Sequence, residues 1–174
     1  IIEDGLSTTP PFKYTGSGNA AALGGSPDNA TMVEYHRNHL WSAGEAANLS
    51  RVNFSNICTT SDTCLETYTT TDFFELDTND GQTVTGMKSG LDCLYIWKTS
   101  SIFRICGTSR DTFTQEQMVK DIGTRSNSSI VVINNQFLFK TQLGDYARYD
   151  GGINVEIIST RIEGTLNALN LSRM

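Results

Sequence analysis

Short apolar segments separated by turn-forming residues fill the chain from about residue 66 onward, and this pattern limits the fold more than any other feature. The segments are rich in Val, Ile, Thr, Phe and Tyr, which suit the pleated surface of a strand, while Asn, Asp, Ser and Gly lie between them. Strands at this spacing are typical of an antiparallel β-sandwich of the jelly-roll kind. The predicted strands are Glu66–Asp77, Gln82–Thr85, Leu91–Thr99, Ile102–Cys106, Ser129–Ile133, Gln136–Gln142 and Gly152–Ile162.

One connection is specific enough to predict its turn. Asn134-Asn135 stands between the apolar runs 130–133 and 137–139. Because Asn tolerates the left-handed backbone region, a two-residue Asn pair between strands indicates a tight hairpin.

Two segments have the spacing of helices instead. Residues 28–50 follow a proline and can be capped by Asp28 or Asn29. One face at helical spacing contains Met32, Tyr35, His36, His39 and Leu40. A shorter helix is expected at Gln115–Ile122, with a threonine as its N-cap and a glycine just after its end.

The N-terminal residues 1–27 are rich in Gly, Ser, Thr and Pro and contain few apolar side chains. Such a segment buries too little surface to offset the ordering of its own backbone. We therefore expect an extended arm that lies along a sheet or adds to the edge of a neighbour. The predicted organisation is an arm and helix at 1–57 and a β-sandwich at 58–174.

Four cysteines are present, and an oxidising compartment would allow three ways of pairing them. Their spacing favours Cys58 with Cys64 around a polar turn, and Cys93 with Cys106 across two neighbouring strands. A structural zinc site is a poor match, because the five residues between Cys58 and Cys64 do not fit the usual spacing of zinc ligands.

Charge and sequence signals indicate an exported protein. The 174 residues carry a net charge of −6 with scattered Lys and Arg, so a nucleic-acid partner is not expected. No apolar run approaches the roughly 18 residues of a membrane span. The chain begins at Ile1 and not at Met, so we expect either upstream processing or a longer protein of which this sequence is a piece. Five Asn-X-Ser/Thr sequons predict glycosylation, although a chain rich in these residues contains some by chance. Their acceptors are Asn29, Asn48, Asn53, Asn127 and Asn170.

Several segments between residues 73 and 158 occur in the same order as the strands of a known domain family. They are Phe73-Phe74-Glu75-Leu76, Asp92-Cys93-Leu94-Tyr95-Ile96-Trp97, Arg104-Ile105-Cys106-Gly107, Ser126–Val132 and Tyr149–Ile153. This order resembles that of a CUB domain, an extracellular β-sandwich. The resemblance implies a calcium site formed by Glu75, Asp92 and Asp145. A jelly roll of a virus or a filament has much the same pattern.

Other candidate chemistry is sparse. His36 and His39, with Glu34 nearby, would share a helix face that could hold a transition metal, although packing or surface roles are commoner for such residues. Asp77–Gly81 is similar to a calcium loop, but its glycine stands one place early, so a tight turn is expected. No motif indicates a nucleophile with its base.

Two classes of function fit these observations. The first is a secreted, non-enzymatic recognition or assembly module that binds protein or glycan partners and self-associates through its arm. The second is a structural subunit of a virus particle or an extracellular filament.

Overall fold

The computed structural model describes residues 12–23, 30–59 and 62–159. Within them the chain is mainly β, and no helix of these residues is long and apolar enough to cross a membrane. The strands are β1 (Phe12–Lys13), β2 (Ala21–Ala22), β3 (Met32–His36), β4 (His39–Ala43), β5 (Arg51–Phe54), β6 (Phe73–Glu75), β7 (Val84–Gly90), β8 (Cys93–Lys98), β9 (Ser101–Cys106), β10 (Thr114–Lys120), β11 (Val131–Ile133), β12 (Gln136–Lys140), β13 (Tyr146–Tyr149) and β14 (Val155–Ile157). Short 3₁₀ turns occupy Asp62–Glu66 and Asn127–Ser129.

Three four-stranded antiparallel sheets make up most of the fold, and β1 pairs with β2 separately. We call β3–β6 the first sheet, β7–β10 the middle sheet and β11–β14 the third sheet. Each strand of a sheet pairs with the strand that follows it in the chain. The predicted antiparallel β architecture is therefore confirmed, but the strands form successive meanders, whereas a jelly roll is built from Greek keys.

The middle sheet packs against a neighbouring sheet on each of its two faces. All six side chains of β8 are buried, which explains why its first five residues, Cys93–Trp97, are continuously apolar instead of alternating. Complete burial of one large apolar side chain contributes about 1.5–3 kcal/mol. Towards the first sheet the core contains Met32, Trp41, Ala43, Val52, Phe54, Leu76, Val84, Met87, Leu94, Ile96, Phe103, Ile105 and Phe113. Towards the third sheet it contains Cys93, Tyr95, Trp97, Ile102, Val119, Ile130, Phe137, Phe139, Ala147 and Tyr149.

Three hairpins turn through two residues that both have left-handed backbone angles. This geometry matches the right-handed twist of paired strands, so it closes a hairpin without splaying its strands. The predicted hairpin turn at Asn134-Asn135 is confirmed. The three pairs are Arg37-Asn38 (φ 49° and 62°), Leu91-Asp92 (50° and 63°) and Asn134-Asn135 (50° and 57°).

The helix predicted at residues 28–50 is wrong for the part that the structure describes. Strands β3 and β4 form a hairpin there, with His36 paired opposite His39. The error has a simple origin: Met32 and His36 are four residues apart, and this spacing places two side chains on one face of a helix and also on one face of a strand.

The helix predicted at Gln115–Ile122 is also wrong, because β10 pairs with β9 along this segment. Gly123 was expected to cap that helix. Instead, it lies so close to the backbone of the β8–β9 turn that an added Cβ would meet the Lys98 carbonyl oxygen at 2.1 Å. Close approach of two backbone segments, and not helix termination, explains the glycine.

The outer face of the first sheet, which points away from the middle sheet, is covered over β4 and β5 by the chain itself, while Tyr35 on the edge strand β3 is 54% exposed on the same side. Leu40, Ser42 and Asn53 point to this side, yet they are only 3%, 0% and 9% exposed. Tyr68 lies over them and donates its hydroxyl to the Leu40 carbonyl at 3.5 Å. The first sheet also takes strands from both sides of the expected boundary at 57/58, because β5 pairs with β6.

Only part of the expected N-terminal arm is described. Residues 12–23 contain the β1–β2 pair, and the Lys13 ammonium forms an ion pair with Glu66 of the same chain. Residues 1–11 and 24–27 lie outside the described residues, so addition of the arm to a neighbouring molecule stays a prediction.

Candidate interaction surface

The third sheet has one buried face and one open face. Its strands alternate strictly, so Phe137, Phe139, Ala147 and Tyr149 pack against the middle sheet. The residues between them point the other way. We call that side the open face. Its residues are Val131, Ile133, Gln136, Leu138, Lys140, Tyr146, Arg148, Glu156 and Ile158.

Apolar side chains make up more than half of the open face. Val131, Ile133, Tyr146 and Ile158 are 49%, 48%, 44% and 44% exposed, and Leu138 is half-buried among them. Single exposed apolar residues are ordinary, but an adjoining set on one sheet face marks a contact surface. The outward side chains of β4 and β5 on the first sheet are covered, which distinguishes them from this set.

A pair of opposite charges lies on β13 and β14 in the middle of the open face. Arg148 on β13 is directly opposite Glu156 on β14, and its Nε donates to the Glu156 Oε2 at 3.0 Å. The two side chains are 46% and 59% exposed, so solvent screens the pair and its contribution to stability is about 0–1 kcal/mol. The pair therefore contributes little to holding the fold together.

A hollow of about 460 Å³ lies beside this ion pair. Arg148, Glu156, Asp150 and Gln136 contribute its polar walls, and Ile153, which is 74% exposed, stands at its rim. The open face thus combines exposed apolar side chains, a pair of opposite charges and a hollow.

The structure does not bring the three predicted calcium ligands together. Glu75 forms an ion pair with Arg51 at 2.6 Å, and the strongly exposed Asp92 pairs with Arg37 at 3.1 Å. Asp145 accepts a hydrogen bond from the Ser159 hydroxyl at 3.2 Å. Among the described residues, no three His, Cys, Asp or Glu side chains are grouped to hold a metal ion. Calcium binding stays a prediction from the resemblance alone.

The loop that is similar to a calcium loop encloses a lysine instead. The Lys98 side chain is completely buried, and its ammonium donates to both carboxylate oxygens of Asp80 at 2.6 and 2.7 Å. It also donates to the carbonyls of Leu76 and Asp77 at 2.7 and 3.0 Å, and to the Ser50 hydroxyl at 3.0 Å. The turn expected at residues 77–81 therefore surrounds the positively charged ammonium group of Lys98.

The two histidines are cross-strand neighbours with separate partners. His39 is buried, and its Nδ1 lies 2.5 Å from the Ser55 carbonyl, while its ring packs edge-on against aromatic side chains. Glu34 pairs with Lys88 at 3.3 Å and accepts the backbone N–H of Ser89. Both contacts of Glu34 are therefore with residues of β7. Among the described residues, His36, His39 and Glu34 do not form a metal-binding group.

A serine–histidine contact escaped sequence reasoning because its members are 53 residues apart. His36 Nδ1 lies 2.7 Å from the Ser89 hydroxyl, but its Nε2 is buried without a partner. A catalytic serine needs a base that a third group orients. Burial, with the positive charge of Arg37 and the neighbouring His39 adding to it and Asp92 opposing it, lowers the pKa of His36 from 6.5 to about 4. Such a base is poorly matched to neutral pH.

Three of the five predicted glycan acceptors fall within the described residues. Asn48 is half-buried and donates to the Glu45 carboxylate at 2.9 Å, and the half-buried Asn127 accepts the Met87 N–H at 3.0 Å. Asn53 is only 9% exposed on β5. Asn29 and Asn170 lie outside the described residues, and glycosylation stays a prediction at all five.

Both predicted disulfides are present and no described cysteine is free. Cys58 joins Cys64, with their Cα atoms 5.2 Å apart, and Cys93 joins Cys106 across β8 and β9 at 4.6 Å.

The chain matches no protein-family model and no curated protein sequence.

Proposed function

We propose that this protein is a secreted, non-enzymatic assembly module that binds protein partners through the open face of its third sheet. The observation that carries the proposal is the unequal treatment of the two outer faces. On the first sheet, the outward side chains of β4 and β5 are covered around Tyr68, and Tyr35 on the edge strand β3 is exposed. The third sheet leaves four outward apolar side chains, Val131, Ile133, Tyr146 and Ile158, between 44% and 49% exposed.

Two further observations support this proposal. Closed disulfides are typical of the oxidising compartments through which secreted proteins pass. Among the described residues the serine–histidine contact of Ser89 and His36 comes nearest to catalytic chemistry, and its buried, weakly basic imidazole is not suited to it. A glycan partner and a contribution of the N-terminal arm to assembly remain part of the proposal from the sequence.

A structural subunit of a particle or filament is the second candidate, and the same open face favours it. The two candidates differ in the size of the assembly: a module forms small complexes of fixed mass, whereas a subunit continues to add copies. Light scattering coupled to size-exclusion chromatography, before and after deglycosylation and with and without calcium, separates them.

The test of the proposal asks whether the open face is available to a partner. We expect the chain either to associate or, as a monomer, to bind the dye ANS, which reports accessible apolar surface. Replacing both Tyr146 and Ile158 by Ser should reduce whichever signal is present. Tyr35→Ser is the matched control, because Tyr35 is 54% exposed but lies on the first sheet. A monomer that binds no dye would show that the face is covered, and the proposal would be wrong.

A further inference from the structure

The open face has a charge and apolar pattern that is complementary to itself. Neighbouring positions on β13 and β14 carry opposite charges, Arg148 and Glu156. The next pair along the same strands is apolar: Tyr146 accepts the N–H of Ile158 at 2.9 Å, so these two side chains are neighbours on the same side. A face with charges of a single sign would require a different protein with charges of the opposite sign, whereas this face carries a positive and a negative side chain.

We propose that the partner of the open face is a second copy of the same chain, an inference that rests on the proposed function. The two copies pack their third sheets face to face around a two-fold axis that runs parallel to the strands, between β13 and β14. Such an axis exchanges the two strands, so each residue of one strand faces its neighbour's equivalent in the other copy.

This symmetry places opposite charges together and apolar side chains together. Arg148 of one copy faces Glu156 of the other, and the reverse contact is made at the same time. Four alternating charges then surround the axis, which is more favourable than either isolated pair because each charge has two opposite neighbours. Tyr146 faces Ile158 in the same way, which removes both partly exposed side chains from water.

The size of the contact sets the expected strength. With the axis between β13 and β14, only these two strands of each copy face each other. They lie about 4.8 Å apart, and their three to four residues extend about 10–14 Å. This footprint is far smaller than the roughly 800 Å² that each partner buries in a standard interface. We therefore expect a weak, reversible dimer whose dissociation constant is on the order of 0.1–1 mM.

The experiment is sedimentation equilibrium of the oxidised 174-residue chain over a wide range of concentration. Arg148→Glu should raise the dissociation constant about tenfold or more, since it puts like charges together in both contacts. The double variant Arg148→Glu/Glu156→Arg restores the alternating pattern, and its dissociation constant should return to within about threefold of wild type.

A matched control is available on the middle sheet. Arg104 on β9 forms the same kind of cross-strand pair with Glu116 on β10, with Arg104 Nη2 at 2.8 Å from Glu116 Oε2. Arg104→Glu makes the same change in net charge away from the open face. It should therefore leave the dissociation constant within about twofold of wild type.

Each result decides one of the two proposals. A monomer at every concentration, or a dimer that is insensitive to Arg148→Glu or not restored by the charge exchange, overturns the two-fold arrangement. In those cases the proposed function still stands if the monomer binds ANS, or if the Tyr146/Ile158 double variant weakens association. A dimer that responds to Arg148→Glu and recovers with Glu156→Arg supports both.

Discussion

Lys98 is an ammonium group enclosed by protein oxygen atoms. Five acceptors converge on its three protons: the hydroxyl of Ser50, which directly precedes β5, and four oxygen atoms of Leu76, Asp77 and Asp80 in the loop between the first and middle sheets. Because the side chain has no exposed surface, the ammonium replaces its lost hydration with these contacts. The residue thereby ties the first sheet to the middle sheet.

Replacing Lys98 by Met should therefore be severe. The shape is retained, but Asp80 is left as a nearly buried carboxylate without its counter-charge, and we expect a loss of about 3–5 kcal/mol in the free energy of unfolding. Urea denaturation measures it. Lys88→Met is the control, because Lys88 forms a partly exposed ion pair and its loss should cost about 0–1 kcal/mol. Recovery in Lys98→Met/Asp80→Asn would identify the unpaired carboxylate as the cause, and equal losses for Lys98→Met and Lys88→Met would contradict it.

His36 should make stability depend on pH. Its pKa is about 4 in the folded chain, chiefly because it is buried, and about 6.5 when unfolded. Its stabilising contribution is thus complete above pH 6.5 and is lost as the pH falls towards 4, because the unfolded chain binds the proton more readily. The expected loss is up to about 3 kcal/mol.

Denaturant unfolding of wild type and His36→Gln at several pH values between 4 and 7.5 measures this contribution. The variant should show a flatter decline than wild type over the interval from pH 6.5 to pH 4. Parallel curves for the two proteins would mean that other groups, and not His36, cause the acid sensitivity.

The two disulfides close loops of different length, and the difference should appear in stability. Cys93 and Cys106 are 13 residues apart, whereas Cys58 and Cys64 are 6 apart. Loop-closure entropy alone gives about 3 kcal/mol for the longer loop and about 2.4 kcal/mol for the shorter. Cys93 is also part of the core beside the third sheet, so its replacement removes packing as well.

Pairwise replacement by Ser, followed by thermal unfolding, ranks the two bridges. The variant without Cys93–Cys106 should have the lower melting temperature. The opposite order would indicate that the bridge between Cys58 and Cys64 has a role in covering the first sheet that loop length does not capture.

Local sequence predicted the elements well where strand formers and turn formers are cleanly separated. The predictions Leu91–Thr99, Ile102–Cys106 and Gln136–Gln142 correspond closely to β8, β9 and β12. The β3–β4 hairpin was missed because its turn, Arg37-Asn38, lacks the glycine that usually indicates left-handed backbone. A spacing of four residues then suited a helix equally well.

The candidate surface was less accessible to sequence reasoning. The apolar run Ile130–Ile133 was visible, but which of its side chains meets another sheet depends on contacts between distant segments. Lys98 illustrates the same limit, since its partners are 18 to 48 residues away in sequence. Alternation on β12 and β13 indicates two faces, but not which of them remains uncovered.

At the scale of the whole molecule the three sheets differ in how many of their faces are covered. Within the residues that the structure describes, the middle sheet is packed on both faces, the first sheet on its inner face and, over β4 and β5, by its own loops, and the third sheet on one face. This difference in burial, and not any single pocket, distinguishes the two outer sheets of the described fold. For this reason the third sheet is the one proposed to bind a partner.

The meander order of the strands has a consequence for motion. Each sheet is formed by strands that are consecutive in the chain. One sheet can therefore unfold without breaking the strand pairing of another, as in stacked repeats. Amide hydrogen exchange should therefore proceed in steps: β11–β14 first, β3–β6 next, and β8 and β9 only on global unfolding. Dimer formation should slow the first step alone. Uniform exchange of all three sheets would mean that they open as one cooperative unit.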